Sequence, residues 1–336
     1  MKQAMFQEAK EGGKVLCGLC SHRCLIYSGK RGICAVRENR DGVLYTLVYD
    51  KIIAQNIDPI EKKPLFHFLP GSLSYSIATP GCNFRCLHCQ NADISQLPRD
   101  QGGVLLGHRV PPETLVDAAL RQGCDSISYT YTEPTIYFEL AYDTAGLAAE
   151  AGLKNVFVTN GYITPGALTK INPYLHAANI DLKGFSDDFY KKVCGARLQP
   201  VLDAIRRYKE LGIWIEITTL IIPGHNDSDA ELKQIAEFIK SVGEEIPWHV
   251  SRFHPTYKLI DQPVTPANTL MRARQIGLDA GLRYVYEGNI PGEGEDTFCP
   301  GCKKILIKRI GFSVLENRVK EGKCVYCGAK VDGVWP

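Results

Sequence analysis

The hydrophobic positions of this chain alternate between two patterns from about residue 73 onward. Short apolar runs rich in β-branched and aromatic residues, typical of buried strands, are followed by longer stretches with helical spacing. The six predicted strands are 73-LSYSIAT-79, 126-SISYTYT-132, 155-NVFVT-159, 178-ANIDL-182, 213-IWIEITTLII-222 and 248-WHVSRF-253. The predicted helices cover 113–123, 136–152, 200–212, 227–243 and 266–281, and a further apolar run follows at 283–288. Asp227 or Ser228 is a suitable N-cap for the fourth helix.

Repeated strand–helix units predict an α/β fold with a parallel sheet, either an open doubly wound sheet or an incomplete barrel. Periodicity does not distinguish the two. In both architectures functional groups gather at the carboxyl ends of the strands. These ends read TPGCNFRC, TYTEPT, TNGY, DLKG, IIPGHND and RFHP. We therefore expect the functional site to be built from these six segments.

The two ends of the chain do not follow this alternation. Residues 1–70 contain four cysteines and a hairpin around Arg40-Asp41-Gly42 that leads into 43–53. A linker-like stretch at 291–296 precedes another four cysteines. We therefore predict an N-terminal cysteine module at 1–70, a core domain at 71–290 and a C-terminal module at 297–336.

Charge and hydropathy indicate the compartment. The 39 Lys+Arg and 37 Asp+Glu residues give a net charge of +2, so nothing pulls the whole chain toward nucleic acid or membrane. The N-terminal MKQAMFQEAKEGGK has no apolar run, which argues against a signal peptide. No stretch approaches the roughly 18 apolar residues of a spanning helix. We expect a cytoplasmic protein without membrane association.

Thirteen cysteines need an explanation in that compartment. Cytosolic thiols stay reduced, so clustered cysteines there bind metal more often than they pair with each other. Cys124 and Cys194 stand alone, and a single buried cysteine is usually a small hydrophobic residue. The other eleven form three clusters: Cys17, Cys20, Cys24 and Cys34; Cys82, Cys86 and Cys89; and Cys299, Cys302, Cys324 and Cys327.

The middle cluster has only three cysteines, Cys82, Cys86 and Cys89. A structural zinc takes four ligands, and so does an ordinary cubane [4Fe–4S] cluster. Three cysteines would leave one iron of a cubane open to a substrate or cofactor. One alternative is a zinc site completed by His88, but that residue adjoins Cys89 and is poorly placed to bind the same ion. Another is three unconnected thiols, against which their clustering at one strand end argues.

The Cys-x3-Cys-x2-Cys spacing at 82, 86 and 89 resembles the signature of radical S-adenosylmethionine (SAM) enzymes. The resemblance implies a partial (β/α)6 barrel and a catalytic [4Fe–4S] cluster on these three cysteines. It also implies that SAM chelates the open iron through its amino and carboxylate groups. A low-potential donor then supplies the electron that cleaves SAM to methionine and a 5′-deoxyadenosyl radical. His88 fits the aromatic position that the motif places near the adenine.

Within that superfamily the strand ends are most similar to activating enzymes of glycyl radical enzymes, such as pyruvate formate-lyase activating enzyme. Thr132-Glu133-Pro134 stands where that group carries a Gly-Gly-Glu-Pro segment that meets the SAM amino group, with Tyr131-Thr132 replacing the glycines. The resemblance implies further contacts with the SAM ribose and carboxylate from Asn160, Asp181, Lys183 and His254. Thr218-Thr219 stands where the group has a SAM-contacting arginine, so the substrate does not carry over.

The C-terminal cluster, Cys299-x2-Cys302 and Cys324-x2-Cys327, has the pattern of a zinc ribbon. Four thiolates close a tetrahedron, which predicts a structural site. A rubredoxin-like iron or a [4Fe–4S] cluster would use the same ligands, and we favour zinc. The module is basic, which permits binding of RNA or an acidic partner, although a solvated face is the simpler interpretation.

The N-terminal cluster, Cys17-x2-Cys20-x3-Cys24-x9-Cys34, predicts either zinc or a second iron–sulfur cluster, which could pass electrons or bind substrate. Its segment 17-CGLCSHRCLIYSGKRGIC-34 resembles the AmmeMemoRadiSam subgroup of radical SAM proteins. That resemblance implies Memo-like and AMMECR-type protein partners and says nothing of the substrate.

Three functions are consistent with these features. The first is a radical SAM oxidoreductase that removes hydrogen from a macromolecule or a metabolite. The second is an activase that installs a glycyl radical on a partner enzyme. The third is a non-catalytic metal-binding scaffold for RNA or protein, against which the polar residues at the six strand ends argue.

Overall fold

One large sheet carries the strand–helix units. In the computed structural model, which describes residues 1–290 and 292–335, this sheet has eight strands. They are β1 Ala54–Pro59, β2 Leu73–Ala78, β3 Ser126–Tyr129, β4 Lys154–Thr159, β5 Ala177–Asp181, β6 Trp214–Ile221, β7 Trp248–Arg252 and β8 Val285–Gly288. β1 is antiparallel to β2, and all other neighbouring pairs are parallel.

The strands lie in the sheet in chain order, from β1 at one edge to β8 at the other. A doubly wound sheet reverses its strand order at a switch point, so this order excludes that alternative. Because parallel crossovers are right-handed, an unbroken order places the helices on one face. Across the described residues β1 and β8 do not pair, so the sheet stays open. The predicted α/β fold of the incomplete-barrel type is confirmed, with β8 as a seventh parallel strand.

Six helices connect the strands or follow them: α1 Pro112–Arg121, α2 Phe138–Glu150, α3 Pro165–Ile171, α4 Gln199–Glu210, α5 Asp229–Val242 and α6 Ala267–Ala280. The predicted cap of α5 is Ser228, whose hydroxyl accepts a 3.3 Å hydrogen bond from the Glu231 amide. Helix α3 and four short helical turns escape periodicity analysis because each has too few residues for a repeating apolar face. The short turns are Ala92–Ser95, Leu97–Asp100, Asp187–Phe189 and the π-helix Tyr190–Cys194.

The N-terminal segment forms two small antiparallel sheets. One contains Lys2–Gln3, Val43–Thr46 and Arg37–Arg40, and the other contains Gln7–Lys10, Lys14–Cys17 and Leu25–Ile26. The predicted hairpin is present, since Asp41 and Gly42 join Arg37–Arg40 to Val43–Thr46 with φ values of 50° and 88°. The predicted strand over 43–53 is interrupted, because Lys51–Ile52 pairs separately with His108–Arg109.

The C-terminal segment covers the amino ends of the sheet strands. Its strands are Thr297–Phe298, Ile305–Ile310, Ser313–Asn317, Val319–Lys320 and Lys323–Cys324. Phe68 packs with Ala177 and Trp214, the first residues of β5 and β6, and Val334 joins this cluster. The Val334 amide donates to the His67 carbonyl at 2.7 Å. The C-terminal cysteines therefore belong to the end of the sheet opposite the strand-end loops.

No helix in the described part of the chain is long and apolar enough to cross a membrane. The predicted module boundaries at 70, 290 and 297 stay predictions. Pro291 of the linker-like stretch and Pro336 lie outside the described residues.

Candidate functional site at the carboxyl ends of the strands

The three-cysteine loop follows β2 and is held by backbone contacts on several sides. The Arg85 and Leu87 amides donate to the Cys194 and Val193 carbonyls at 2.8 and 3.0 Å, and the Lys258 amide donates to the Leu87 carbonyl at 2.9 Å. These partners come from the segments after β5 and β7. The loop is therefore fixed by other strand-end segments before any metal binds.

The Arg99 side chain adds a second anchor for this loop. Its guanidinium donates to the carbonyls of Cys82 at 2.6 Å and Phe84 at 2.7 Å, and to the Ile33 carbonyl of the N-terminal segment at 2.8 Å. One side chain thus joins the three-cysteine loop to the segment that carries the N-terminal cysteines.

The sulfurs of Cys82, Cys86 and Cys89 do not converge on a single point. Within the described residues they do not form a group of ligand atoms that all lie within 4.8 Å of one another. A tetrahedral zinc with Zn–S bonds of about 2.3 Å holds its sulfurs about 3.8 Å apart. The wider spread suits a cubane, in which each cysteine binds a different iron.

The alternative of a zinc bound by these three sulfurs and His88 is not supported. A ring nitrogen of His88 lies within 4.8 Å of the sulfurs of Cys86 and Cys194, and neither Cys82 nor Cys89 belongs to that group. His88 therefore points toward one cysteine of the three and away from a shared centre.

The thiols of the three cysteines favour the protonated state in the absence of metal. Burial raises the pKa of Cys82 and of Cys89. The pKa of Cys86 is raised first by its hydrogen bond with Cys194 and then by burial. Because thiolates are the metal-binding form, loading iron at this loop must displace protons.

His88 carries an orphaned polar atom into the site. The residue is 4% exposed, and its Nδ1 has no hydrogen-bond partner among the described residues. Burial, with the positive charge of Lys183 nearby, lowers the pKa of the imidazole to about 3, so the ring is neutral. It stacks on Phe189 with ring centres 6.3 Å apart. A neutral buried ring with a free nitrogen is suited to a planar nucleobase, in line with the predicted adenine contact.

Glu133 is buried, and both oxygens of its carboxylate accept hydrogen bonds from other residues of the chain. Oε1 accepts from the Thr135 amide at 3.0 Å and from the Thr135 and Thr159 hydroxyls at 2.6 and 2.8 Å. Oε2 accepts from the Asn160 amide at 2.8 Å. Burial raises the pKa of the carboxyl. In the structure Glu133 joins the loops after β3 and β4, and its predicted contact with the SAM amino group stays a prediction.

The segment before Glu133 keeps a conformation that glycine favours although glycine is absent. Tyr131 has φ of 60°, and its hydroxyl donates to the Asp58 carboxylate. Its carbonyl accepts from Asn91 Nδ2 at 2.9 Å. These contacts offset the strain of a non-glycine residue in the left-handed region. Thr132 Oγ1 donates to the Thr79 carbonyl at 2.8 Å, and Pro134 begins the 3-10 helix Pro134–Tyr137.

Asn160 contacts the three-cysteine loop directly. Its side-chain Nδ2 donates to Asn83 Oδ1 at 2.8 Å and lies 3.9 Å from Cys82 Sγ. Asn160 is 5% exposed, so the contact is shielded from water. The structure thus brings this predicted site residue to the edge of the cluster-binding loop.

Asp181 and Lys183 form an ion pair of 2.7 Å at the end of β5. Burial alone would lower the pKa of the Lys183 ammonium, but the Asp181 carboxylate, together with the sulfurs of Cys86 and Cys194 when these are ionised, raises it well above its usual value. Lys183 is therefore a fixed positive charge beside the cluster-binding loop. His254 is exposed at the end of β7, and no side-chain hydrogen bond holds it within the described residues.

Cys194 is the residue near the site that sequence patterns do not reveal. It is fully buried at the end of the π-helix Tyr190–Cys194, and its sulfur lies within 4.8 Å of the Cys86 sulfur. The cysteine is 105 positions from Cys89 in the sequence (194 − 89), so spacing gives no signal for it. The π-helix itself is a feature often found at functional sites.

Comparisons with known proteins identify the family of this chain. The profile of the radical SAM superfamily matches residues 76–239, from β2 into α5. The chain belongs to the radical SAM superfamily. It is 49% identical over 336 residues to the uncharacterized protein MJ0808 of Methanocaldococcus jannaschii, covering 99% of both chains.

Two more distant matches are consistent with this membership. The pyruvate formate-lyase-activating enzyme of Clostridium pasteurianum is 22% identical over 219 residues, covering 62% of this chain and 89% of its own. The crystal structure of a radical SAM methyltransferase from Sphaerobacter thermophilus aligns with a TM-score of 0.52 at 16% identity, covering 66% of this chain and 68% of the other. The second match shows the fold alone. The predicted family and its similarity to activating enzymes are confirmed.

Membership in the superfamily implies a [4Fe–4S] cluster, SAM and a reductant. The residues present fit these groups: three separated sulfurs, an orphaned buried His88 nitrogen and a fixed positive charge at Lys183 surround one region. The predicted roles of the individual residues stay predictions.

Proposed function

We propose that this protein is a radical SAM oxidoreductase that abstracts hydrogen from a macromolecule or a metabolite. When bound, the reduced [4Fe–4S] cluster would supply the electron that cleaves SAM to methionine and a 5′-deoxyadenosyl radical, and this radical would take a hydrogen atom from the substrate and leave as 5′-deoxyadenosine. The observation that supports this proposal is the placement of three separated sulfurs at the carboxyl end of the first parallel strand, within the ring of strand-end residues.

In this proposal the residues of the site have separate roles. Cys82, Cys86 and Cys89 would hold the cluster and would leave one iron free to bind SAM. Asn160, hydrogen-bonded to the loop, and the Asp181–Lys183 pair provide polar groups for the ribose and the carboxylate of SAM. His88 places a neutral ring for the adenine. The buried hydrogen bonds of Glu133 hold the loops after β3 and β4 in register.

Production of 5′-deoxyadenosine from SAM tests the proposal. Anaerobically reconstituted protein reduced with dithionite should form it, and Cys86→Ala should reduce it to the level of a protein-free reaction. Cys124→Ala is the matched control because Cys124 is also a buried cysteine, 6% exposed, and lies outside the site. Cluster-loaded wild-type protein that forms no 5′-deoxyadenosine would contradict the proposal.

A glycyl radical activase is the second candidate, favoured by the similarity to the pyruvate formate-lyase-activating enzyme. Thr218 and Thr219 weaken it. Their hydroxyls donate to Asn179 Oδ1 and the Leu182 carbonyl at 2.9 Å each, so both are committed inside the sheet where the activating enzymes have a SAM-contacting arginine. An electron paramagnetic resonance doublet from a partner's glycyl radical would establish the activase.

The protein's surroundings follow from the same proposal. We propose a cytoplasmic location, a low-potential electron donor, and Memo-like and AMMECR-type partners, which the similarity of residues 17–34 to the AmmeMemoRadiSam subgroup supports. Affinity capture with such partners as bait tests the interaction. A protein with zinc and no labile iron would instead favour a non-catalytic scaffold for RNA or protein.

Zinc is our proposal for the C-terminal site. The four sulfurs of Cys299, Cys302, Cys324 and Cys327 lie within 4.8 Å of one another. Two pairs are 3.6 and 3.8 Å apart, which agrees with the edge of about 3.8 Å expected for tetrahedral zinc. The site is closed and lies away from the strand-end loops, as a structural metal would.

A further inference from the structure

We propose that Cys17, Cys20, Cys24 and Cys34 hold a second, polynuclear iron–sulfur cluster beside the cluster of the radical SAM loop. These four cysteines lie outside the three-cysteine motif of the superfamily, and a cluster on them would form whether or not the protein cleaves SAM.

The spacing excludes a preformed single-ion site. No three of these four described sulfurs lie within 4.8 Å of one another, whereas all four sulfurs of the C-terminal site do. Both sets consist of free cysteines in the same chain. The C-terminal set therefore has the convergence that a mononuclear site requires, and the N-terminal set does not. Like Cys82, Cys86 and Cys89, the N-terminal set forms no such converged group among the described residues.

The four cysteines surround a common space. They line one cavity together with the apolar side chains of Leu19, Ile26 and Ile136. Cys17 and Cys34 are buried, and Cys20 and Cys24 are half-buried. Separated thiols around an apolar cavity suit a cluster that fills the centre, with each cysteine reaching a different part of it.

The position of this cavity places it at the carboxyl end of the sheet. The segment around Cys20 bridges to Ile163 in the loop after β4, and the Thr164 amide donates to the Leu19 carbonyl at 3.1 Å. The His22 ring contacts the Asn83 carbonyl of the three-cysteine loop at 2.9 Å. The quartet thus packs on the strand-end loops of the radical SAM site.

Gly81 shows how closely the two cysteine sets approach. Its φ is 104°, and a Cβ at this position would lie 2.7 Å from Val36 Cγ1 and 3.2 Å from the Cys34 carbonyl oxygen. Glycine is therefore required at position 81, because this residue, next to Cys82, packs directly against Cys34 and Val36. The bridge from Arg99 to the Ile33 and Cys82 carbonyls crosses the same boundary. The segments that carry the two cysteine sets are therefore in direct contact.

Iron and sulfide analysis of a variant that lacks the radical SAM cysteines tests the proposal. The full chain carrying Cys82→Ala, Cys86→Ala and Cys89→Ala would be reconstituted anaerobically. We expect it to retain about two to four irons with equal sulfide, the content of one cysteine-ligated cluster, and a paramagnetic signal when reduced. Adding Cys20→Ala and Cys24→Ala, the two more accessible ligands, should remove this iron and the signal. Cys124→Ala added instead should keep both.

Zinc content provides the opposing outcome. If the variant without the radical SAM cysteines contains two zinc ions per chain and no sulfide, the second cluster is refuted. Iron and sulfide contents that stay unchanged after Cys20→Ala and Cys24→Ala also refute it. The first measurement needs no change in the N-terminal segment, so misfolding of the second variant cannot obscure it. Because neither variant can cleave SAM, failure here is separate from failure of the proposed enzymatic function.

Discussion

The C-terminal quartet and the three-cysteine loop use the same side chain at opposite ends of one sheet, and their sulfurs are arranged differently. The quartet's sulfurs converge, with pairs 3.6 and 3.8 Å apart. Those of the loop are spread and lie among buried polar groups such as Asn160. A converged set can saturate one ion. A spread set with one member too few leaves coordination for a ligand from outside the chain.

The charged residues around the two sites also have different positions and contacts. Near the C-terminal module, buried Arg309 contacts Glu61 at 3.7 Å and donates to the Phe66 carbonyl at 2.8 Å, which ties the module to the segment before β2. The charge of Lys183 beside the loop faces the cysteines. The buried charge of Arg309 therefore joins segments at one end of the sheet, and the half-buried charge of Lys183 lies beside the cluster-binding loop at the other.

Removing a metal ligand from the C-terminal site should have the largest effect on stability. We expect Cys302→Ala to lower the free energy of unfolding by about 4 kcal/mol or more, the range typical of a lost metal site. The buried cysteine control Cys124→Ala should cost about 1 kcal/mol. Denaturant titration with zinc analysis measures both. If both variants lost the same free energy of unfolding, a structural role for the C-terminal metal site would be contradicted.

Replacing the buried Arg309, at the same end of the sheet, should have a smaller effect on stability. Arg309→Met leaves Glu61 without its partner and should destabilise the protein by about 3–5 kcal/mol. Lys192→Met breaks an exposed pair with Asp188 and should change stability by about 0.3–0.5 kcal/mol. Thermal and denaturant unfolding give the ranking. If the two variants were equally stable, the buried contacts would not fasten the C-terminal module.

At the other end of the sheet, Lys183→Met should weaken ligand binding without removing iron from the protein. Loss of its charge should weaken SAM binding about tenfold, or about 1.4 kcal/mol, with unchanged iron content. Lys192→Met is again the matched control, because that lysine is exposed. Equilibrium binding of SAM to the reconstituted protein measures the effect. Unchanged affinity, or iron lost together with affinity, would contradict the assigned role.

Much of the fold follows from local pattern. Buried parallel strands are continuous β-branched and aromatic runs, so β2 to β7 lie within a few residues of their predicted positions. The strand order does not follow from periodicity, since doubly wound and barrel sheets use the same units. Short elements such as α3 and Asp187–Phe189 depend on tertiary contacts, and the sequence pattern does not predict them.

The candidate site divides in the same way. Cys82, Cys86 and Cys89 are recognisable because their spacing is local. Cys194 has no such spacing, and only the chain path after β5 brings it against Cys86. The buried hydrogen bonds that Glu133 accepts from Thr159 and Asn160 are equally invisible in sequence, because these donors lie at the end of the next strand and just after it.

Electron–nuclear double resonance of the reduced, reconstituted protein, with SAM labelled with ¹⁵N at its amino group, tests most directly whether the cluster has an open iron. If three cysteines leave one iron for SAM, the spectrum should show coupling between the cluster and the labelled nitrogen. The coupling should be absent when Cys86→Ala protein is used and should remain with Cys124→Ala. A wild-type cluster that shows no coupling while SAM is bound would contradict an open iron at this loop.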